Sequence, residues 1–496
     1  MFALMIIIFI IGYSMIALEH PLRIDKAATA LLVGALVWVV YIFGSESILS
    51  DENIIASVKE NLDNFYNTVE YKDFAEQYRQ NNGEEPALAL KLAQFIGHHE
   101  LMHHLSEIAQ ILFFLLAAMT IVEIVDQHQG FIVITDKIKT TNKLKLLWII
   151  GILTFFMSSV LDNLTTTIVI IALLRKLIND KETRWFFASI VVLAANAGGA
   201  FSPIGDVTTI MLWIGGQITA VNIIKMVFLP SILSILLPLT VLSFFLKGEV
   251  VRPKAVENEN SIVSKRQQIL MLVLGVGALL FVPIFKTVTH LPPYLGMLLG
   301  LAVIWMVTEF LHRWHDAKKI VSSTAKVSSE NTVQDFKRLE VSKIISRVDV
   351  PTVLFFLGIL SAVAGLQSAG QLSLLAELLE ENLGNIYLIN IAIGLLSSVI
   401  DNVPLVAGAM GMYEIMPAGS TGFDAYFVVD GQFWEFLAYC AGTGGSILII
   451  GSAAGVAAMG LEKIDFIWYF KKISWLALLG YLAGALAYYL QAVFIF

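Results

Sequence analysis

Asp162 lies in the stretch FFMSSVLDNLTTTIVII (155–171), and Asp401 lies in the near-copy SSVIDN (397–402). A carboxylate inside an apolar stretch is expensive unless it is paired or put to use. Neither motif contains a lysine or arginine that could pair with it. A second couple follows downstream, NAGGAFSPIGDVTT (196–209) and GTGGSILIIGSAAG (442–455). The first pair is offset by 401 − 162 = 239 residues and the second, aligned on its double glycines, by 444 − 198 = 246. Two motifs in the same order at nearly equal offsets indicate an internal duplication.

The side chains gathered by these motifs are oxygen donors. The first half supplies Ser158, Asp162, Asn163, Thr165, Asn196, Ser202, Asp206, Thr208 and Thr209. The second supplies Ser397, Asp401, Asn402, Thr443, Ser446 and Ser452. With no thiolate and few histidines among them, the set suits a hard alkali cation better than a soft transition metal. Three aspartates without a cationic partner repel a dianion and attract a cation or a proton. Burial and neighbouring carboxylates also strengthen a carboxyl group's hold on its proton. One site loaded in turn with H+ or a metal cation is the simplest cation/proton antiporter. The expectation is therefore Na+ at Asp162, Asn163, Asp401 and Asn402, with Asp162, Asp401 and Asp206 as proton-coupling candidates. No bound cofactor is expected. The halves differ, since Asp206 is matched by Ser452 and Thr165 by Pro404, which makes the first half the richer in charge.

The chain that must position these groups has 496 residues, 57% hydrophobic and 15% charged. That composition indicates an all-α polytopic membrane protein. It also lacks the basic patch that nucleic acid requires. Full spans are expected near 1–18, 27–44, 107–126, 185–216, 220–246, 268–286, 291–311, 350–370, 432–460 and 466–491. The first reads as a retained helix rather than a signal peptide. Blocks 144–178 and 384–416 each have a polar centre and read either as two spans or as a re-entrant hairpin. The stretch 45–105 has 11 Asp+Glu against 4 Lys+Arg and reads as an external loop. Lys137, Lys139, Lys143 and Lys145 precede the first broken block, and Arg175, Lys176, Lys181 and Arg184 follow it. By the positive-inside rule both connections are cytoplasmic, so the block enters and leaves on one side, and both termini lie outside. The second block is flanked by Glu380, Glu381, Glu414, Asp424 and Asp430 and reads as external at both ends. The result is an inverted-topology repeat of about ten spans plus two hairpins, with its site where the broken helices meet. The corresponding segments are 1–106 (helices and acidic loop), 107–246 (first repeat), 247–349 (connecting helices and loops) and 350–496 (second repeat).

Other groups point elsewhere. Glu107 opens an apolar helix and is a candidate proton acceptor, or else an interfacial glutamate; Glu123 and Asp126 read as interfacial. His99-Glu100-Leu101-Met102-His103 matches H-E-x-x-H, the zinc motif of a membrane metalloprotease. The competing reading is a solvated, pH-sensitive histidine cluster. Cys440 is the single cysteine, so there is no intrachain disulfide.

The motifs HHLSEIAQILFFLLAAMTIVEIVDQHQGF, SSVLDNLTTT, GGAFSPIGDVTTIMLW, SSVIDNVPLVA and FWEFLAYCAGTGGSILIIGSAAGVAAMG together resemble the NhaD-type sodium/proton antiporters. Those belong to a wider ion-transporter superfamily with arsenite permeases and dicarboxylate symporters. The resemblance runs from about His103 to the C-terminus. It implies export of Na+ and Li+ in exchange for protons across a bacterial inner membrane, two re-entrant hairpins, and a homodimer. It carries over Asp162, Asn163, Asp206, Thr208, Thr209, Asp401 and Asn402. Dicarboxylate relatives have Ser-Asn-Thr at the hairpin tips, where this chain has an aspartate before the asparagine. Transport of arsenite or another oxyanion on the same fold is the alternative function.

Overall fold

The structure, a computed structural model, describes residues 1–17, 19–49, 55–253, 263–322 and 341–494. Parts of the 45–105 stretch and of the 247–349 connection lie outside the described residues, as does the C-terminal end expected on the external side.

The described residues are mostly helical and form no strand. In chain order the main helices are α1 (Phe2–Ala17), α2 (Lys26–Ile48), α3 (Ala56–Asn67), α4 (Val69–Asn82) and α5 (Leu88–Gln127). Next come α6 (Lys143–Ser158), α7 (Asn163–Leu177), α8 (Lys181–Ala200), α9 (Val207–Ile214), α10 (Ala220–Phe245), α11 (Lys265–Thr289) and α12 (Pro293–Ser322). The last are α13 (Val350–Ser368), α14 (Gln371–Leu383), α15 (Ile386–Leu396), α16 (Asn402–Met412), α17 (Gln432–Gly444), α18 (Ala453–Glu462) and α19 (Phe466–Phe494). Seven stretches among the described residues are long and apolar enough to cross a bilayer: α2, α5, α10, α11, 293–311 of α12, α13 and α19.

Two differences from the sequence reading have physical causes. The acidic stretch 45–105 is largely helical rather than a loop: α3 and α4 are amphipathic and fold over an aromatic cluster in which Phe65 meets Tyr66, Tyr71, Phe95 and His99. The helix expected over 107–126 begins at Leu88 instead, continued by a π-helical turn at Phe95–Glu100. The stretches 185–216 and 432–460 are interrupted, as the broken-helix reading expects, at 201–206 and 445–452. Pro203 cannot continue α8, and paired glycines let other backbone approach both breaks.

The chain forms two compact units, residues 1–112, 350–389 and 403–415 in one, and 113–349, 390–402 and 416–496 in the other. In the first unit α2 and α13 pack backbone to backbone at Gly34 and Gly358, where a Cβ on Gly34 would lie 2.5 Å from the Gly358 carbonyl oxygen. Trp38 Nε1 donates to the Ser361 carbonyl at 2.9 Å and Tyr41 OH to the Ser368 carbonyl at 2.8 Å.

The second unit holds the motif residues. Its centre is α8, fully buried from Phe187 to Ala200, as befits a helix apolar all round. α6 lies parallel to it: Lys143 Nζ reaches Thr183 Oγ1 near the start of both helices, and Ser158 Oγ donates to the Ala195 carbonyl at 2.6 Å near their ends. α7 then returns. The Asn179 N–H bonds to the Val251 carbonyl and the Lys143 N–H to the Gly248 carbonyl, so one short segment binds both open ends of the α6–α7 pair.

The second half repeats these contacts in detail. Ser397 Oγ donates to the Ala441 carbonyl at 2.8 Å, as Ser158 does to Ala195. A Cβ on Gly198 would meet the Phe155 carbonyl oxygen at 2.1 Å, and one on Gly444 would meet that of Gly394 at the same distance. A Cβ on Gly205 would lie 2.5 Å from the Ser158 carbonyl oxygen, and one on Gly451 would lie 2.4 Å from that of Ser397. The two broken helices run in opposite senses. α9 ends close to where α17 begins, with the Asp430 N–H bonded to the Gln217 carbonyl. α18 ends close to where α8 begins: Glu462 receives Arg175 Nε at 2.7 Å and Arg184 Nε at 2.9 Å, and Trp185 Nε1 donates to the Glu462 carbonyl. This last cluster marks a basic end of the unit; Asp430 marks the opposite end.

Candidate ion-binding site

Each polar break residue starts a helix. Asp162 caps α7, Asp206 caps α9 and Ser452 caps α18, the carboxylates and hydroxyl accepting from the N–H groups of Thr165, Thr208 and Gly455. A side-chain oxygen there satisfies one of the helix's orphan donors, and a negative charge suits the positive end of the helix dipole. This local rule explains why the chain places oxygen-bearing residues at these breaks, and it fixes where their second oxygen atoms point.

Asp206, 1% exposed, is the hub. Its Oδ1 accepts from the Thr208 N–H at 3.2 Å. Its Oδ2 accepts from Asn163 Nδ2 at 3.0 Å and from Asn402 Nδ2 at 3.3 Å, so the asparagines of the two recurring Asp-Asn motifs converge on one oxygen. Asn163 Nδ2 also lies 3.1 Å from Asn196 Oδ1. Asn196 donates across to the second half, to Ser446 Oγ and Ser452 Oγ, both at 2.9 Å. Gly442 allows α17 this close: a Cβ there would lie 3.0 Å from the Ala200 Cβ and 3.6 Å from Asp206 Oδ2. The hydroxyls of Thr166, Thr167 and Thr209 are buried without a hydrogen-bond partner.

The remaining candidates divide into four groups. Asp162 is turned to its own helix: Oδ1 accepts from the Thr165 N–H at 2.7 Å and Oδ2 from its hydroxyl at 2.5 Å. Asp162 and Asp401, both half-buried, are close enough for their charges to bear on Asp206. Ser158, Ser397 and Thr443 donate to the carbonyls of Ala195, Ala441 and Tyr439 and so brace helices. Glu107 belongs to the other compact unit, where it lies 3.5 Å from His103 Nε2 and 3.4 Å from His104 Nδ1. Glu123 and Asp126 stand near the basic end with Gln127 and Arg347.

The H-E-x-x-H match does not form a ligand set. His99 packs on the Phe95 and Phe65 rings, while His103 is exposed. Among the described residues, no three His, Cys, Asp or Glu side chains are grouped to hold a metal ion.

Two buried acids escaped the sequence reading. Glu462, between its two arginines, ties α18 to α7 and α8. Glu435, 2% exposed, accepts from Tyr488 OH at 2.6 Å and from Asn222 Nδ2. A lone charge within FWEFLAYC was the available signal for Glu435.

The arrangement joins one buried carboxylate to two primary amides, one from each half. An amide presents either N–H or C=O to a neighbour. Asp206 can therefore be held as an anion by two N–H donors, or share a cation with two amide oxygens after each amide turns over.

Comparisons with known proteins agree with this chemistry. The family model described as "Citrate transporter" matches residues 4–429. Sodium/proton antiporter 1 of Arabidopsis thaliana is 42% identical over 98% of this chain and 71% of its own length. Sodium/proton antiporter 2 of the same plant is 41% identical over 98% of both chains. The Na(+)/H(+) antiporter NhaD of Vibrio cholerae is 32% identical over 97% of this chain and 89% of its own. The protein belongs to the NhaD-type sodium/proton antiporter family, within the broader family that the citrate transporter model describes.

Proposed function

We propose that this chain exchanges Na+, and Li+, for protons across a membrane by alternating access, with Asp206 as the group that binds either ion. The observation that carries the reading is the meeting of Asn163 and Asn402 on Asp206 Oδ2. Loading one carboxylate engages both halves at once, as a carrier with a single central site requires. A proton and a metal cation compete for the same oxygens, so cargo in one direction displaces cargo in the other. Citrate, named in the family description, fits poorly. The motifs offer no arginine or lysine to a carboxylate, and Asp206 would repel it.

In this reading the chain is a transporter and not an enzyme. The segments 107–246 and 350–496 are two repeats of opposite topology, and 144–178 and 384–416 are re-entrant hairpins. The recurring Ser–carbonyl and Gly–carbonyl contacts, the opposite senses of α8–α9 and α17–α18, and the shared anchor of the α6–α7 ends support it. The basic end, with Arg175 and Arg184, faces the cytoplasm by the positive-inside rule, and both termini lie outside. We place the protein in a bacterial inner membrane as a homodimer.

The test is proton movement in everted or reconstituted vesicles on addition of Na+, Li+, K+ or arsenite. Asp206→Asn should reduce Na+- and Li+-driven exchange by about a hundredfold or more. Asp162→Asn keeps a cap acceptor and should chiefly weaken apparent Na+ affinity. Exchange at the wild-type rate in Asp206→Asn would exclude this carboxylate, and a response to arsenite alone would assign the fold a different cargo.

A further inference from the structure

Four acidic side chains are buried among the described residues: Glu100, Asp206, Glu435 and Glu462. Glu462 is held by two arginines, Glu100 lies near His104, and Asp206 is the site. Glu435 differs from them in the company it keeps. Its hydrogen bonds come from neutral donors, Tyr488 OH of α19 on Oε2 and Asn222 Nδ2 of α10 on Oε1. A buried carboxylate held only in this way carries a large desolvation cost in its charged form. The charges that reach it are those of Lys225 on α10 and of Asp430 in the segment leading into α17.

Its position relates it to the ion site. Glu435 stands in the first turn of α17, at the end of the unit opposite the Glu462 clamp. Seven residues on, Gly442 packs against the Asp206 carboxylate. Seven residues are two helical turns, about 10 Å along one face. Asp430, half-buried and bonded to the Thr219 N–H and hydroxyl, lies still nearer that end. Three carboxylates thus descend from the end of the unit to the hub.

We propose that Glu435 is a second proton-binding carboxylate of the exchange cycle, loaded from this end, whose charge sets the affinity of Asp206 for its cation. The proposal rests on the antiport reading above. A unit charge gained or lost about 10 Å away, at an effective dielectric constant near 20, changes cation affinity on the order of tenfold. A purely structural Glu435, a post joining α17, α10 and α19, would make the same hydrogen bonds but would not titrate in the working range.

The experiment compares full-length wild type, Glu435→Gln and Tyr488→Phe in proteoliposomes. It measures apparent Na+ affinity across neutral and alkaline pH, together with thermal stability. Glutamine keeps an acceptor for Tyr488 and cannot titrate; phenylalanine removes the post and keeps the carboxylate. The expected result is that Glu435→Gln flattens the pH dependence of Na+ affinity by about tenfold over the range, while Tyr488→Phe keeps its shape. A Glu435→Gln profile that superimposes on wild type overturns the proposal. Should Glu435→Gln fail to fold, pH-jump infrared spectroscopy of purified wild type and Tyr488→Phe decides. A protonated-carboxyl band that shifts when the Tyr488 hydroxyl is removed supports the assignment, and no Tyr488-sensitive band overturns it. That spectrum does not depend on transport, so vesicles in which wild type moves no protons would refute the antiport reading and leave the Glu435 question decided by the infrared result.

Discussion

Alanine at Gly198 should disable the site without touching a polar residue. A Cβ there would lie 2.1 Å from the Phe155 carbonyl oxygen, whereas real Cβ atoms essentially never come within 3.0 Å of such a neighbour. The obstacle is backbone on both sides, so α6 must move away from α8 by about 0.9 Å, the difference between those two distances. α6 carries the hairpin tip, and Asn163 Nδ2 lies 3.0 Å from Asp206 Oδ2. A displacement of that size along the line of approach stretches the contact to about 3.9 Å, past hydrogen-bonding range. Forced overpacking of a buried helix contact costs about 1–3 kcal/mol, and misplacing a reacting group by about 1 Å costs on the order of a hundredfold in rate. Gly198→Ala should therefore lose most Na+-driven proton exchange while its melting temperature in detergent falls only moderately. Gly444→Ala, with the same 2.1 Å clash against Gly394, should do the same through Asn402. Gly277→Ala, where a Cβ meets nothing within 4 Å, is the control. Wild-type exchange in Gly198→Ala would refute the claim that tip position, through Asn163, governs the carboxylate.

Two further substitutions test what holds each unit together internally. Glu462→Gln removes the acid, 1% exposed in its side chain, that joins Arg175 and Arg184. Because Arg175 is 49% exposed and can return to water, the cost should fall below that of a fully buried pair, at about 2–3 kcal/mol; an unchanged melting temperature would mean that the clamp contributes nothing. Tyr41→Phe leaves the buried Ser368 carbonyl without its hydroxyl donor and should destabilise the protein by about 1 kcal/mol, again read from thermal unfolding.

Much of the site was legible because its two halves are written twice. SSVLDN and SSVIDN, and the two double-glycine stretches, mark the same contacts in both halves, down to which serine donates to which carbonyl. Hydropathy also located the seven stretches that are long and apolar enough to cross a bilayer. The division of labour at the breaks was hidden. The sequence reading sets Na+ at Asp162 and Asp401, the aspartates that recur in both motifs, and keeps Asp206, whose match is Ser452, as a further candidate. What separates them is geometry: Asp162 spends both oxygens on Thr165, while Asp206 caps α9 with one oxygen and has the other free to face the tips. Ser158 and Thr443 look like ligands in a string of letters, and in the structure each donates its hydroxyl to a helix carbonyl, as a hydroxyl in or beside a helix often does. The helices within 45–105 were missed because their polar, acidic composition masks an amphipathic pattern whose apolar side rests on Phe95 and His99.

Asp206 caps a helix, and in the proposed reading it also receives the ion, a double duty that would give the site a mechanical output. The same carboxylate that would bind a proton or Na+ also accepts the Thr208 N–H at the start of α9. A charged cap and its favourable placement on the helix dipole are together worth roughly 1–2 kcal/mol, and neutralising the carboxylate forfeits part of that. In that reading occupancy would act directly on the tightness of the first turn of α9. A short helix of eight residues has little cooperative reserve to absorb such a change, so its leading turn is where arrival of cargo would first be felt as a change of shape.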